Sequence, residues 1–595
     1  MPSSPVTEES NLISFSILSN GSEFPDTYEV ISLRTEQCVN RIAIAEIIIA
    51  NGNAQDQSFP VTESDTFKPG AEIEIKLGYH SKNDTVFKGI VVKQLLKISG
   101  TEGTQLQLIC KDKALKMTVS RSNAIFTNET DSNIIQKIVN KNGLSHDVTS
   151  TTTVHKEMVQ YYASDWDFIV TRAEVNGMIV LTENGKLIVA KPDVSSTPEL
   201  QVTFGQDIID FEGELDATHQ FSEAKSTAWD MTSQKIIEAK SSEPNINQQG
   251  NISGKSLAEV LSSGTNNLNS SAGISKEDIQ SWSNAVMLKS RLSRFKGSIT
   301  FQGSAKAKVN SLIQLNGVGR QFDGEAFISS VIHTVEDGLW RTDVQLGLSP
   351  EWFIEKHSVS APKAAGLIPG INGLQTGIVK KTFDDPEGQF RVQVEIPILG
   401  ANAEAMWARL STFYTGNGVG AFFIPEIGDE VLLGFMNDDP RFPIILGSVF
   451  SNAIPTPSTP DEENTIKTIV TKSKLQLKFD DAKKTFTIQT PGGNTMVLSD
   501  EDGAITITDQ NENKIEMTNS GISLESQTSI NIKAAEEVNI QGMKLSIKGD
   551  QSLAASSSEV SITGDVSTKI SGSTACSISS DGNLTAKGLM VLINS

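Results

Sequence analysis

Hydrophobic and polar residues alternate along much of the first 120 residues of this chain. The segments ISFSIL from Ile13, IAIAEIIIA from Ile42 and AEIEIKLGY from Ala71 place apolar side chains at every second position. A period of two is typical of half-buried antiparallel strands. We therefore expect residues 12–120 to form a small β-barrel or sandwich.

Three segments show the wider spacing of amphipathic helices. We expect the first to be capped by Asp131 or Ser132 and stopped by a glycine. The second starts near Ser164 and is closed by Gly177, and the third runs for about 20 residues from Ser275. The apolar face of the first helix consists of Ile134, Ile135, Ile138 and Val139.

Changes in composition divide the chain into segments. Ser, Asn, Gln, Lys and Glu dominate residues 222–275, which predicts an exposed and partly flexible insertion. After a Pro/Gly/Ala-rich linker, about five short strands predict a small Greek-key barrel of the OB type. The whole is mainly β with a few helices. In order, the segments are 1–221, 222–275 (polar insertion), 276–354, 355–373 (linker), 374–452 (OB-like barrel), 453–464 (Pro-rich hinge) and 465–595 (short repeats).

The last segment repeats a short apolar pair every seven or eight residues, apart from one early step of ten and counting a weaker unit at Leu553. Two inward residues per strand make no core within one chain, but three chains around a common axis bury six per layer. At roughly 2 kcal/mol of gross burial each, a layer gains about 12 kcal/mol before chain entropy is subtracted. The repeats therefore predict a trimeric β-rod. The pairs are Ile505/Ile507, Ile515/Met517, Ile522/Leu524, Ile530/Ile532, Val538/Ile540, Leu545/Ile547 and Val560/Ile562.

Charge and cysteine content narrow the classes of function. The formal net charge is −22, which disfavours binding to nucleic acids and to anionic membranes. Three widely spaced cysteines predict no disulfide framework, and we expect them to be small buried residues. The N-terminus lacks the basic and apolar regions of a signal peptide, which indicates synthesis in the cytoplasm.

The sequence contains no persuasive pattern of catalytic residues. The six histidines show no metal-ligand spacing, and the stretch from Gly416 to Gly420 is better read as a tight turn than as a phosphate loop. The carboxylates Asp384–Asp385 and Asp438–Asp439 each precede a proline, which favours capped surface turns. We expect no catalytic residues, no cofactor and no metal, and so no enzyme.

The chain ends on an apolar run formed by Leu589, Met590, Val591, Leu592 and Ile593. Three copies would present a flat hydrophobic platform, and proteins rarely leave such a patch uncovered. One hypothesis is that a small cap protein binds there, and the alternative is a rod tip that closes on itself.

The segment VQYYASDWDFIVTRAEVNGM resembles the signature of the VgrG (valine–glycine repeat) family, although Tyr162-Ala163 departs from the pattern of many members. Barrel segments such as Trp407–Arg409 and PEIGDEV from Pro425 are also similar to the family. The resemblance covers nearly the whole chain apart from residues 222–275. The signature residues are Gln160, Tyr161, Asp165, Trp166, Phe168, Arg172 and Gly177; among them Trp166 and Phe168 are expected to anchor a helix, and Arg172 to pair with a carboxylate.

This resemblance implies a homotrimeric hub and spike of a contractile injection system, either a type VI apparatus or an extracellular phage-tail-like particle. It implies two related hub barrels, an OB-like collar and a triple-stranded β-helix needle. The implied partners are the inner tube protein, baseplate subunits, a PAAR-like tip protein and effector cargo, with a target membrane met only during puncture. The alternatives are a tail fibre or adhesin, and a spike that degrades cell walls.

Overall fold

The computed structural model describes residues 2–6, 12–25, 27–101, 103–262, 264–400 and 403–593. The chain forms two compact units, Met1–Ser448 and Val449–Ser595. It is mainly β, as predicted. Among the described residues, no helix is long and apolar enough to cross a bilayer.

The first unit contains most of the strands and, within the described residues, all of the α-helices. The strands are β1 (Ile13–Ser19), β2 (Ser22–Glu23), β3 (Val30–Cys38), β4 (Ile44–Ala50), β5 (Glu72–Tyr79), β6 (Lys82–Ser99), β7 (Gly103–Lys111), β8 (Arg121–Thr130), β9 (Ser145–Val148), β10 (Val154–Ser164), β11 (Ile179–Glu183), β12 (Lys186–Ala190), β13 (Leu200–Thr203), β14 (Ile208–Leu215), β15 (Glu223–Asp230), β16 (Lys235–Lys240), β17 (Thr265–Ser270), β18 (Phe295–Gln302), β19 (Leu312–Asn316), β20 (Gly324–Glu336), β21 (Leu339–Leu346), β22 (Gln375–Lys381), β23 (Val392–Glu395), β24 (Met406–Leu410), β25 (Thr415–Gly416), β26 (Val419–Gly420), β27 (Glu430–Phe435) and β28 (Pro443–Ser448). The helices are α1 (Pro60–Glu63), α2 (Lys116–Val119), α3 (Asp131–Lys141), α4 (Asp165–Val175), α5 (Gly254–Val260), α6 (Lys276–Leu292) and α7 (Phe353–Lys356).

A single hydrogen-bonded sheet runs through the hub part of this unit. Its main path is β14-β18-β21-β20-β3-β4-β7-β6-β5-β1-β2, and β13 and β19 join it through β20. Strands from the first 120 residues and strands after residue 294 therefore belong to one sheet, joined where β20 pairs with β3. The period-two pattern correctly predicted strands here, but it could not show that the two stretches are paired.

Two hydrophobic cores lie along this sheet. One contains Ile47, Ile75 and Leu108, and the other contains Phe301 and Ile313. All five side chains are fully buried, as the alternation of apolar residues requires when one face of a strand is covered. Strand β20 contributes to both cores, because its Ile328 and Val331 lie in one and its Val335 in the other.

Helices α3 and α4 form a third core with the sheet β11-β12-β9. The predicted apolar face of α3 is buried there. The predicted cap was wrong, since Thr130 is the N-cap and its hydroxyl accepts from the amide of Asn133 at 3.3 Å. Asp131 and Ser132 are the first two helical residues instead. Helices α4 and α6 start where they were predicted, and Ser164 and Ser275 are their N-caps.

The polar segment 222–275 was expected to be exposed and partly flexible; most of its described residues are exposed, as expected, but the segment is folded. Its strands form the sheet β16-β15-β17, and α6 packs on one face of that sheet. Ala224, Ser226 and Ala228 are buried there, and the Ser226 hydroxyl donates to the carbonyl of Ile279 at 2.6 Å. Small residues bury little apolar area, which is why composition did not indicate this sheet.

A closed five-stranded barrel, β22-β23-β24-β28-β27, follows the linker and confirms the predicted OB-like domain. Its core contains Val379, Val394, Val431 and Leu433. The Gly416–Gly420 stretch forms the small hairpin β25–β26, as its interpretation as a tight turn requires.

The second unit begins with an antiparallel seven-stranded sheet in consecutive order. Residues 465–595 were expected to wind as a β-helix throughout, and for this first part that was wrong. Apolar pairs before Ile515 are spaced nine or ten residues apart, which leaves room for a five-residue strand and a tight turn. The strands are β29 (Ile466–Val470), β30 (Gln476–Asp480), β31 (Thr485–Gln489), β32 (Thr495–Ser499), β33 (Ala504–Thr508), β34 (Lys514–Thr518) and β35 (Gly521–Glu525).

Replacing Gly347 with alanine should destabilise the first unit. Gly347 has φ +76°, and an added Cβ would lie 2.0 Å from the backbone oxygen of Phe295. We expect the free energy of unfolding to fall by more than the roughly 1 kcal/mol that a positive φ alone costs. All six tryptophans precede residue 449, so urea unfolding followed by tryptophan fluorescence reports on this unit alone.

The matched control is Gly338→Ala, which has φ +71° but no atom within 4 Å of the added Cβ. Equal losses in the two variants would contradict the close approach at Gly347.

Candidate functional site

The Arg172 side chain on α4 is held by a buried carboxylate at the start of α3. Its Nε donates to Asp131 Oδ1 at 2.7 Å, and a terminal nitrogen donates to Oδ2 at 2.9 Å. Asn176 Nδ2 also donates to Oδ2 at 2.8 Å, and His155 Nε2 lies 3.0 Å from that oxygen. The sequence predicted a carboxylate partner for Arg172, and the structure identifies it as Asp131.

Burial favours the neutral form of Asp131, but the hydrogen bonds and charge of Arg172 outweigh it. The pKa of Asp131 therefore lies below its usual value. His155 also faces Asp278 in the first turn of α6, with Nδ1 3.7 Å from Oδ1. The network thus joins β10, α3, α4 and α6. Its role is to hold these four elements together.

Asp165, the first residue of α4, is the centre of a second hydrogen-bond network. It accepts from Gln160 Nε2 at 2.8 Å, from the Ser122 hydroxyl at 2.9 Å and from Asn142 Nδ2 at 2.8 Å. Burial raises its pKa, but these donors, together with Lys141 at 3.5 Å, lower it below the usual value. Gln160 and Asp165 therefore tie the end of β10 to the helix that follows it.

The other signature residues are divided between core and surface. Trp166 and Phe168 are buried in the third core, as expected of anchors. Gly177 has φ +66° directly after α4, where a residue with a Cβ would be strained. Tyr161 points away from this group, with 67% of its surface exposed.

Two of the suspected carboxylates in the barrel are paired with arginines. Asp385 accepts from Arg391 at 2.7 Å and from three backbone amides, which lowers its pKa below the usual value. Asp439 accepts from Arg441 at 2.7 Å, which likewise lowers its pKa. These are capped turns, as predicted.

A cavity of about 690 Å³ opens between β3, α4 and α6. Its charged side chains are paired with one another: Lys289 lies 2.8 Å from Glu174, and Arg34 lies 2.9 Å from Glu36. The buried Glu174 also accepts from the backbone amide of Phe353 at 2.7 Å. Within the described residues, no group of His, Cys, Asp and Glu could hold a metal ion.

The three cysteines were expected to be small buried residues, and they match that expectation only in part. Burial raises the pKa of the Cys110 thiol to about 12, so it acts as a small core residue. Cys38 is half-buried, and no disulfide joins the three thiols. Cys576 was expected to be buried and is exposed in the single chain.

The sheet of the second unit has an uncovered apolar face. Strand register aligns two rows of side chains across all seven strands, and we call them the apolar ladders. Phe479 and Phe486 stack within one row at 4.8 Å between ring centroids. All members are partly or fully exposed in one chain. One ladder is Ile469, Leu477, Ile488, Met496, Ile507, Ile515 and Leu524, and the other is Lys467, Phe479, Phe486, Leu498, Ile505, Met517 and Ile522.

The chain beyond β35 makes no core of its own. Residues 527–593 contain no strand or helix, and every one of them is exposed. This includes the predicted pairs from Ile530 to Ile562. The apolar run Leu589, Met590, Val591, Leu592 and Ile593 is exposed as well. The apolar side chains of this stretch are thus uncovered in one chain, and whether a cap protein covers the end stays a prediction.

Sequence reasoning did not find Asp131, His155 and Glu174 as parts of the hub networks. The distance along the chain explains this, since Arg172 and Asp131 are 41 residues apart. Only the placement of Asp131 beside a helix start was visible beforehand.

Family comparisons match three regions in order. Residues 9–337, more than half of the chain, match the Alg8 N-terminal domain. Residues 375–450 match the type VI secretion system/phage-baseplate injector OB domain, and residues 485–546 match the phage baseplate V C-terminal trimerisation domain. The chain belongs to the family defined by the Alg8 N-terminal domain, and its OB and trimerisation domains match those of type VI and phage-baseplate injectors.

Similar curated proteins include the type VI secretion system spike protein VgrG4b of Pseudomonas aeruginosa, 33% identical over 96 residues. The match covers 15% of this chain and 12% of that protein. The actin cross-linking toxin VgrG1 of Vibrio cholerae is 34% identical over 95 residues, 15% of this chain and 8% of the toxin. The chain thus matches only a small share of these relatives' length.

Similar solved structures include a tail protein from Neisseria meningitidis, with TM-score 0.43, 14% identity, and coverage of 57% of this chain and 98% of that one. A component of the E. coli type VI secretion system has TM-score 0.36 and 13% identity, and the match covers 73% of this chain and 99% of that one.

Replacing Arg172 with lysine should destabilise the first unit by about 3 kcal/mol, because a lysine cannot make the bidentate contact and leaves Asp131 buried and under-paired. Urea unfolding followed by tryptophan fluorescence measures the loss. The control is Arg41→Lys, whose exposed pair with Glu36 at 3.1 Å should matter by less than about 1 kcal/mol. A loss at Arg172 no greater than the loss at Arg41 would show that the network is not structural.

Proposed function

We propose that three copies of this chain form the central spike and hub of a contractile injection system. The observation that carries the proposal is the pair of apolar ladders, which no described part of the same chain covers. Three copies related by a three-fold axis would cover one another's ladders. The match of residues 485–546 to a trimerisation domain supports the same number of chains.

In this proposal the first unit connects the spike to the inner tube protein and the baseplate subunits. The rod carries a PAAR-like tip protein on its apolar end and focuses the force of sheath contraction on the target membrane. Effector cargo would travel with the tip. Either a type VI apparatus or an extracellular particle suits this role. We further propose that the chain is made in the cytoplasm and leaves it when the particle fires or the cell lyses.

We propose a structural role rather than a catalytic one. The support is that Lys289 in the hub cavity and Arg391 and Arg441 in the barrel are each paired with a carboxylate. The actin cross-linking toxin VgrG1 shows that a protein with one similar region can have a further activity. The short shared region gives no reason to transfer that activity to this chain.

A charge in the rod should weaken the trimer. We expect the wild-type chain to have the mass of three chains by light scattering and to resist sodium dodecyl sulfate before heating. Ile532→Asp would place three carboxylates in one dry layer, at a cost of several kcal/mol. We expect this variant to lose its detergent resistance.

The control is Asn531→Asp, which adds the same charge at the adjacent, outward position and should leave the mass and resistance unchanged. If Ile532→Asp behaved like the wild type, or if the wild type were a monomer, the trimeric rod would be wrong.

Serine at all five positions 589–593 should abolish binding of a purified PAAR-type protein while the trimer mass stays the same, because the apolar platform is removed. Titration followed by light scattering measures the complex. Leu367→Ser, which removes an exposed leucine from the first unit, serves as the control. Unchanged binding by the five-serine variant would favour a rod tip that closes on itself.

A further inference from the structure

A small hairpin projects between strands β24 and β27 of the barrel. We call residues 411–424 the collar hairpin; it contains β25 and β26, with Asn417 and Gly418 at its turn. The amide of Ala421 donates to the carbonyl of Tyr414 at 2.9 Å, and the Thr412 hydroxyl donates to the carbonyl of Ala421 at 3.0 Å. Its root is tied to the barrel where the Ser411 amide donates to Ile445 at 2.9 Å. The hairpin is therefore an ordered element with a fixed register.

The large side chains of the collar hairpin are uncovered. Phe413 is 89% exposed and Phe422 is 78% exposed, and the register places them opposite each other on one face. Tyr414 and Val419 are exposed on the other face, and Phe423 follows at the root. Phenylalanine and tyrosine side chains each bury roughly 150–250 Å² in a contact, so this small element holds enough apolar area for an interface.

The hairpin also lacks charge. None of the 16 residues between Arg409 and Glu426 is charged, although the chain has 50 basic and 72 acidic residues and a net charge of −22. Copies of such a chain repel one another, so the surfaces on which they meet must exclude like charges. A partner of opposite charge would instead be recognised by acidic residues, which this surface does not have. An uncharged aromatic surface therefore fits a second copy of this chain.

We propose that the collar hairpin is the contact between neighbouring copies at the level of the barrel. The proposal rests on the trimer described above and extends it from the rod to the barrel. In a three-fold ring the hairpin of one copy packs on the barrel of the next, because such contacts join two different surfaces. The three barrels are then held together by contacts of their own, independently of the apolar ladders.

A photoreactive benzoylphenylalanine in place of Phe422 tests the contact, because its ring keeps the aromatic character of the site. The full-length variant is irradiated in the producing cells and purified, and its adducts are mapped by mass spectrometry. The mass in solution is measured on the same preparation. We expect covalent adducts between two chains, with the second site in the barrel of the neighbouring copy.

The matched control places the same group at Met231, which is 71% exposed but lies beside Asp230 and close to Lys235. No inter-chain adduct is expected there. A trimer without an inter-chain adduct at position 422, or with an adduct to a different protein, would refute the proposed hairpin contact. It would not refute the trimeric spike. A monomeric mass would instead refute the trimer itself.

Discussion

The apolar face of the C-terminal sheet cannot be buried by the chain that makes it. Seven short strands in consecutive order produce one sheet with no described segment folded back over it, and the 67 described residues after Ser526 add no cover. Burial of apolar surface is the main favourable term in folding, and a lone copy forgoes it throughout residues 466–593. In the proposed trimer, this apolar face is therefore buried only when the chains assemble.

The first unit buries its apolar residues within a single chain. It has separate cores under a continuous sheet, a helical layer tied by Arg172 and Asp131, and a barrel with a closed ring of strands. Its stability does not depend on other copies in the way that the rod does. A chain built in this way can complete the folding of its first unit before any assembly takes place.

Much of this architecture could be predicted from the sequence. Alternation located the strands, and the spacing of apolar residues located the starts of α4 and α6. The closed barrel followed from its short strands, and the need for three chains followed from the repeats. Pairings between distant segments could not be predicted, because nothing local to Arg172 identifies Asp131, and nothing local to β3 identifies β20. The folded state of residues 222–275 was missed because alanine and serine can fill a tight interface without a hydrophobic signature. The antiparallel sheet at the start of residues 465–595 was missed, because apolar residues alternate with the same period of two in an antiparallel hairpin and in a β-helix.

The continuous sheet has a mechanical consequence. Because β20 and β21 each contribute side chains to both cores, no hinge lies between those cores, and a load on one reaches the other through backbone bonds. Pulling along such strands shears many hydrogen bonds at once, whereas peeling breaks them one after another. In the proposed injection machine, a sheet loaded in shear would let this unit transmit a sudden axial thrust without yielding.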